Sequence, residues 1–518
     1  MPNIPSMKNR IFLLFGLLWS FQTLQAQVDQ AIKYAGAISL SDLKRHMYVL
    51  ASDSLEGRET GKPGLDKAAR YIANEFKKYG IPALNGSYFQ NYVLDERKPN
   101  GVSISTKKST FGFLTDFYFF PGFGDQEIEA SDMLFLGYGI EDSAYNDYAG
   151  MDVKDKVIVI LNGEPYGSDG NSLLSKKRKP SLWTTWKRKK AETAREKGVK
   201  AVLIIDDSFE KNVLEQTHGI LTPTLKLENE PDESRTPIFF ISPSMADRVL
   251  KKTGLYNQLK SQIDESGKPV RKKIKNKIKF SIKRQVNKLN ACNVVGFIEG
   301  KSKKEEVVVL TAHFDHLGKH DGKIFYGADD DASGTTALIA IAKAFAEAKN
   351  NGNGPERSIL IMPVSGEEKG LLGSSYYVEH PLFPLANTVA DLNIDMIGRI
   401  DTLHKDGNYI YLIGSDKLSS DLHRVSEETN RQCCQLDLDY RYDSPKDPNR
   451  FYYRSDHYNF AKNRIPVIFY FNGVHADYHQ ATDTKEKIDF NKMEKITNLV
   501  FFTAWELANR PDRIKLDK

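Results

Sequence analysis

The chain has 518 residues, 40% of them hydrophobic and 27% charged, with a formal net charge of +5. That length allows two domains and a large core, and the composition excludes a disordered or fibrous chain, while a charge this small says little about partners. Only three cysteines occur, Cys292, Cys433 and Cys434, too few for a disulfide framework, and they read as structural.

Lys8 and Arg10 precede the apolar run IFLLFGLLW, and LQA follows before Gln27. A basic start, a short apolar core and a small residue at the cut predict a secretory signal peptide over residues 1–26, cleaved after Ala26. The apolar run is too short to span a membrane, and no later run approaches the roughly 18 apolar residues a spanning helix needs. The expected mature protein is therefore exported, periplasmic or extracellular, with no membrane partner after cleavage.

Further along, DMLFLGYGI, KVIVILNG, AVLIIDD and TPIFFIS read as strands that alternate with a charged helix ending at Gly198. Residues 223–235, rich in Glu, Asn and Pro, read as an exposed loop. Two basic clusters, KKRKPSLWTTWKRKK from Lys176 and RKKIKNKIKFSIKR from Arg271, raise the question of nucleic acid. The first opens an apparent helix holding Trp183 and Trp186. The second alternates Lys with Ile and Phe, the pattern of a strand with one wet face. Both read as solvated faces, and no nucleic-acid partner is expected.

The second half carries the chemistry. The run VVVL from Val307 predicts a buried strand that stops as His313 and Asp315 arrive in TAHFDHLG. GADDDASG follows, and TTALIAIAKAFAEA then predicts a helix. RSILIMPVS predicts a strand ending at Glu367 and Glu368. VADLNID predicts another ending at Asp395. IPVIFYF leads into a loop with His475, His479 and Asp483. Carboxyl ends of strands are where open α/β sheets place their ligands. Gathering His313, Asp330, Glu368, Asp395 and His479 gives two imidazoles and three carboxylates, too many for one tetrahedral zinc. Two metals sharing a bridging carboxylate would use all five, as in hydrolytic sites with metals roughly 3.5–4 Å apart.

Other residues here have plainer readings. Asp329 and Asp331 suit the first turn of a helix, where a carboxylate meets the dipole. His316, His320 and His404 read as loop or supporting residues, and Asp456 and His457 as pocket wall. His475 is the one competitor to His479.

The ordered set AHFDH, GADDDASG, SGEEKGLLGS, NIDMIGR, SDHYNF and DYHQATDT resembles the cocatalytic di-zinc aminopeptidase family, whose relatives include glutamate carboxypeptidase II, the transferrin receptor and the glutaminyl cyclases. RETGKPGLDKAARYIANEFKKYGI resembles the family's opening helix. The resemblance implies two zinc ions: His313 and Asp395 on one, Glu368 and His479 on the other, Asp330 bridging. It implies Glu367 as general base toward a metal-bound water, Asp315 orienting the His313 imidazole, and Tyr478 donating to the tetrahedral intermediate. The Y-H-x-x-T-D pattern favours His479 over His475. No ligand position is missing, and Lys369 stands at a variable one.

GYGIEDSAYNDYAGMDVKDKVIVI resembles the start of a protease-associated domain. The expected fold is thus α/β, a mixed, largely parallel sheet flanked by helices, with a smaller α/β insertion. The expected boundaries are 27–110 and 261–518 for the peptidase domain and 111–260 for the insertion. The expected activity is hydrolysis of a peptide or protein substrate near a chain end, as an aminopeptidase. A glutaminyl-cyclase-like acyl transfer with one zinc, or a receptor-like protein with none, are the alternatives. Whether the free end recognised is an amine or a carboxylate, and the oligomeric state, stay open.

Overall fold

A computed structural model describes residues 28–122, 124–186, 188–232 and 236–518. The expected signal peptide over 1–26 lies outside the described residues. The chain divides into two compact units, one running to Val93 and resuming at Leu289–Lys518, the other Leu94–Lys288.

The first unit is built on seven strands: β1 (Gly296–Ile298), β2 (Lys303–His313), β3 (Arg357–Val364), β4 (Thr388–Ile394), β5 (Tyr409–Ile413), β6 (Asp437–Asp439) and β7 (Val467–Phe471). Their order is β1-β3-β2-β4-β7-β5-β6. β3, β2, β4 and β7 are mutually parallel, while β1 pairs antiparallel with β3 and β5 antiparallel with β7. Every residue of β3, β4 and β7 is buried, which is why β3 and β7 read as nearly unbroken apolar runs.

Alternation along β2 divides the core between the two faces of the sheet. Val308, Leu310 and Ala312 join one cluster; Val307 and Val309 join another with Tyr377 and Phe460. The first face is covered by α1 (Leu40–Leu50), α2 (Pro63–Lys78), α3 (Gly334–Asn350) and α6 (Phe490–Asn509). α4 (Leu372–Glu379) and α5 (Ser420–Cys433) complete the set used below. α2 starts with Pro63, whose fixed φ and missing N–H suit a first helical position. α3 is buried along most of its length, so it is apolar nearly all round. α6 follows Asp489, whose side chain accepts from the N–H groups of Asn491 and Lys492.

β4 alternates apolar and polar residues, yet its polar positions Asp391 and Asn393 are buried too, and Thr311 Oγ1 lies 2.9 Å and 2.8 Å from their side-chain oxygens. The alternation marks an internal polar chain instead of a wet face, and burial pushes the Asp391 carboxyl well above its usual range.

In the second unit, Met133–Leu136, Val157–Leu161, Ala201–Ile205 and Ile238–Ile241 form the parallel centre of a six-stranded sheet. A four-stranded antiparallel sheet contains Ser103–Thr106 and Ile278–Ile282. That pairing corrects the boundaries: residues 94–110 and 261–288 belong with the insertion, because their strands complete its sheets. The α/β rhythm alone marked only its middle. The second basic cluster forms the strands Arg271–Ile274 and Ile278–Ile282, with Ile278, Phe280 and Ile282 buried and Lys279 exposed. The first cluster departs from expectation. It forms two short helices, Leu182–Thr185 and Lys189–Glu196, and Lys190 is buried, its ammonium donating to the carbonyls of Leu161 and Gly163. No helix among the described residues is long and apolar enough to cross a membrane.

Candidate metal centre

Four parallel strands deliver their chemistry at one edge. β2 ends on His313; the turn after β3 holds Glu367 and Glu368; β4 is followed by Asp395; the loop after β7 carries His479. Asp330 arrives from the turn before α3, held by its backbone N–H to the carboxylate of Asp483 at 3.3 Å.

Asp330 faces two ways. Its Oδ1 lies 3.2 Å from His313 Nε2, and its Oδ2 lies 3.0 Å from His479 Nε2. Asp395 Oδ1 stands 3.6 Å from the same His313 nitrogen, and Glu368 Oε2 stands 3.3 Å from the same His479 nitrogen. The five expected ligands are therefore brought together as two groups joined through one carboxylate. His313, Asp330 and Asp395 form one trio of donor atoms within 4.8 Å of one another, and His316, Asp330 and Glu368 form a second.

The donor set fits divalent metals. His313 Nε2, Asp330 Oδ2 and Glu368 Oε1 are buried and have no hydrogen-bond partner among the described residues. Crowding four largely shielded carboxylates, Asp330, Glu367, Glu368 and Asp395, around two imidazoles without a compensating cation would be destabilising. Nitrogen and carboxylate donors in this number suit zinc.

The supporting residues fix the donors. His313 Nδ1 meets the backbone carbonyl of Asp315 at 3.0 Å, whereas the Asp315 carboxylate is 3.7 Å away. Asp315 thus orients the imidazole chiefly through its main chain, directing Nε2 to the centre. Its carboxylate instead accepts from Glu367 N–H at 3.2 Å and Thr60 Oγ1 at 2.7 Å. Ser455 Oγ donates to Asp395 Oδ2 at 2.6 Å, and Asn393 Nδ2 donates to Ser455 at 2.8 Å. Fully buried Arg58 donates to the carbonyls of Leu50, Phe314, Tyr326 and Gly327, pinning the segments on either side of His316 and Asp330.

The adjacent glutamates diverge. Burial, reinforced by Glu368 and Asp395, raises Glu367 well above the usual carboxylate range. Glu368 is buried too, but the imidazoles of His316 and His479 outweigh burial and hold it at about 2.

Plainer readings resolve individually. His475 pairs with Asp329 at 3.2 Å and not with the centre. Asp329, in the first turn of the helical segment Ala328–Ser333, also accepts from Gly398 N–H and Asn472 Nδ2, so it ties loops together as well. Asp331 does accept from Gly334 N–H at the start of α3. His457 is buried behind the pocket, its Nε2 on the Tyr452 carbonyl, and Asp456 accepts from Ser374. His404 sits with Asp401 and Asp439, and His320 meets the Leu317 carbonyl. Cys292, Cys433 and Cys434 are free thiols.

His316, read as a loop or supporting residue, lies in the segment after β2 and is fully buried, with Nδ1 2.8 Å from Glu368 Oε1. Ser455 and Arg58 were missed because their partners lie far away in sequence, and for His316 the motif HFDH did not show which carboxylate it meets.

Over the donors opens a pocket lined by Met396, Phe451, Phe469, Phe471, Val474 and Tyr478. Tyr478 stacks on His479, ring centroids 3.9 Å apart, and its hydroxyl accepts from Arg454 Nη2 at 3.2 Å.

A model of peptidase family M28 matches residues 293–504. A probable leucine aminopeptidase of Trichophyton verrucosum is 29% identical over 224 residues, 42% of this chain and 57% of that protein. A probable glutamate carboxypeptidase of Arabidopsis thaliana is 36% identical over 117 residues, 22% of this chain and 15% of that protein. The chain thus matches little more than half the length of the first and a small part of the second. Among solved structures, an aminopeptidase from Aneurinibacillus sp. strain AM-1 aligns with a TM-score of 0.56 at 18% identity, covering 94% of this chain and 98% of that one. A zinc aminopeptidase from Bacillus subtilis aligns at 0.52 and 18% identity, covering 93% and 98%. At that identity the likeness is one of fold.

Proposed function

Residues 293–504 belong to peptidase family M28, and from that premise we propose that the chain is a two-zinc exopeptidase, an aminopeptidase acting on peptides outside the cytoplasm. The observation that carries the reading is the pair of donor groups sharing Asp330, with buried donor atoms that no group among the described residues satisfies. Export rests on the N-terminal pattern of Lys8, Arg10 and IFLLFGLLW. Leu94–Lys288 is read as the protease-associated insertion.

His313 and Asp395 would hold one ion, Glu368 and His479 the other, and Asp330 would serve both. When bound, such a pair supplies Lewis acidity and lowers the pKa of a coordinated water toward 7. Everything else falls to side chains. Glu367, with Oε2 3.9 Å from His313 Nε2, faces the same centre and takes the proton of the attacking water. The same carboxyl then returns that proton to the leaving amine. Arg454 donates to the Tyr478 oxygen, leaving the Tyr478 hydrogen free to donate to the carbonyl oxygen as it gains charge. Met396, Phe451, Phe469, Phe471 and Val474 offer an apolar terminal side chain a dry surface.

The test pairs metal counting with turnover. Glu367→Gln should keep two zinc ions while kcat falls by roughly 10²–10⁴-fold. Glu368→Ala should lose metal. Free peptides should be cleaved and N-acetylated ones spared. Near-wild-type turnover in Glu367→Gln, or equal metal loss in both variants, would remove the general-base assignment.

A further inference from the structure

His316 lies outside the five-ligand set, yet it occupies the centre more completely than a supporting residue needs to. Its imidazole is fully buried. Nδ1 stands 2.8 Å from Glu368 Oε1 and 3.9 Å from Asp330 Oδ2, the oxygen that also faces His479. Neither Nδ1 nor Nε2 of His316 has a hydrogen-bond partner among the described residues, and neither does Glu368 Oε1. Two buried polar atoms this close, neither aligned for a hydrogen bond, are placed as donors around a shared cation would be.

The ring is also held in place. The backbone N–H of His316 donates to the Arg58 carbonyl at 3.2 Å. The ring lies against Gly327, where a Cβ would meet His316 Cγ at 2.4 Å, so the backbone of the GADDDASG turn approaches the imidazole face directly. Gly327 has φ +53°, the left-handed region that glycine enters without strain.

We propose that His316 is a further protein ligand, coordinating through Nδ1 the ion that Glu368, His479 and Asp330 hold. The inference rests on the two-zinc reading above. Its consequence is an unequal pair. The Glu368 side gains four protein donors, His316, His479, Glu368 and Asp330, the number of a closed tetrahedral zinc site. The Asp395 side keeps three, His313, Asp395 and Asp330, the number of an open one. The ions should therefore bind in sequence, the first on the His316 side and tightly.

Metal titration of the apoenzyme against a chromophoric chelator should resolve a tight and a weaker zinc. In His316→Ala the tight phase should weaken by more than 100-fold, beyond the roughly 10–100-fold that loss of a supporting residue costs. Tightening or weakening by less than that, or loss from the weaker phase alone, would overturn the assignment. A spectrum of the intact wild-type enzyme loaded with cobalt(II) gives a second reading that does not depend on the variant folding. Each coordinated imidazole contributes one solvent-exchangeable, hyperfine-shifted N–H proton resonance. Three such resonances are expected, from His313, His316 and His479; two would exclude His316. A wild-type chain that binds no metal would overturn the two-zinc reading itself, whereas two ions with two imidazoles would overturn only this proposal.

Discussion

Replacing Arg58 by Met tests whether the metal centre depends on a residue more than 200 positions away from most of what it touches. The guanidinium is fully buried and donates to four carbonyls: Leu50 at 2.6 Å, Phe314 and Tyr326 each at 2.8 Å, and Gly327 at 2.9 Å. Burial lowers its proton affinity to about 10, against the pull of Asp315, Asp331 and Asp330, so it remains charged at neutral pH. A hydrogen bond from a charged donor contributes about 1.5–3 kcal/mol, and a stranded buried carbonyl costs about 1–3 kcal/mol. Met fills the volume of the stem and lets some carbonyls find water, so the expected loss is about 4–6 kcal/mol, at the severe end for a single change. Hydrogen exchange read by mass spectrometry across a urea series, on peptides from β2 and α3, follows this unit by itself. Arg58→Lys should recover only part of the loss, because an ammonium is a point donor and cannot span four acceptors as the planar fork does. A loss below about 1 kcal/mol in Arg58→Met, or full stability in Arg58→Lys, would refute the view that this guanidinium pins the metal-bearing turns.

Three further outcomes follow from particular contacts. His475→Ala should keep both zinc ions and lose stability, since His475 pairs with Asp329, whereas His479→Ala should lose metal; elemental analysis of the purified variants reads both. Gly327→Ala should weaken zinc binding, because the added Cβ would meet the Asp330 carbonyl at 2.1 Å and the His316 ring at 2.4 Å; unchanged stoichiometry and affinity in a chelator titration would count against it. His46 is fully buried between the hydroxyls of Tyr71 and Tyr79, and burial, aided by Arg45, lowers its pKa from 6.5 to about 4. Between those values the unfolded chain binds the proton and the folded chain does not, so stability falls as pH drops from 6.5 to 4, by roughly 3 kcal/mol at about 1.4 kcal/mol per pH unit. Urea unfolding of wild type and His46→Phe across that window should show the acid slope reduced in the variant.

Much of the centre was legible in the primary structure because chemistry and chain direction coincide there. Parallel strands buried on both faces need apolar runs, so VVVL, RSILIMPV and IPVIFYF announce themselves, and the polar residue that ends each run must lie at a carboxyl edge. His313, Glu367, Glu368, Asp395 and His479 could be named from that rule and from the order of their motifs. Tertiary structure alone decided what depends on distance through space. Asp329 and Asp330 are chemically identical neighbours, yet one meets His475 and the other bridges His313 and His479. His316 reads only as a loop or supporting residue in the sequence, and its partner is set when the β3 turn brings Glu368 to it. The insertion begins at Leu94 because Ser103–Thr106 pairs with Ile278–Ile282, a contact that no local pattern encodes. Periodicity reports which face of an element is buried; it does not report which distant atom the buried group will meet, and at this centre that second fact separates a ligand from a strut.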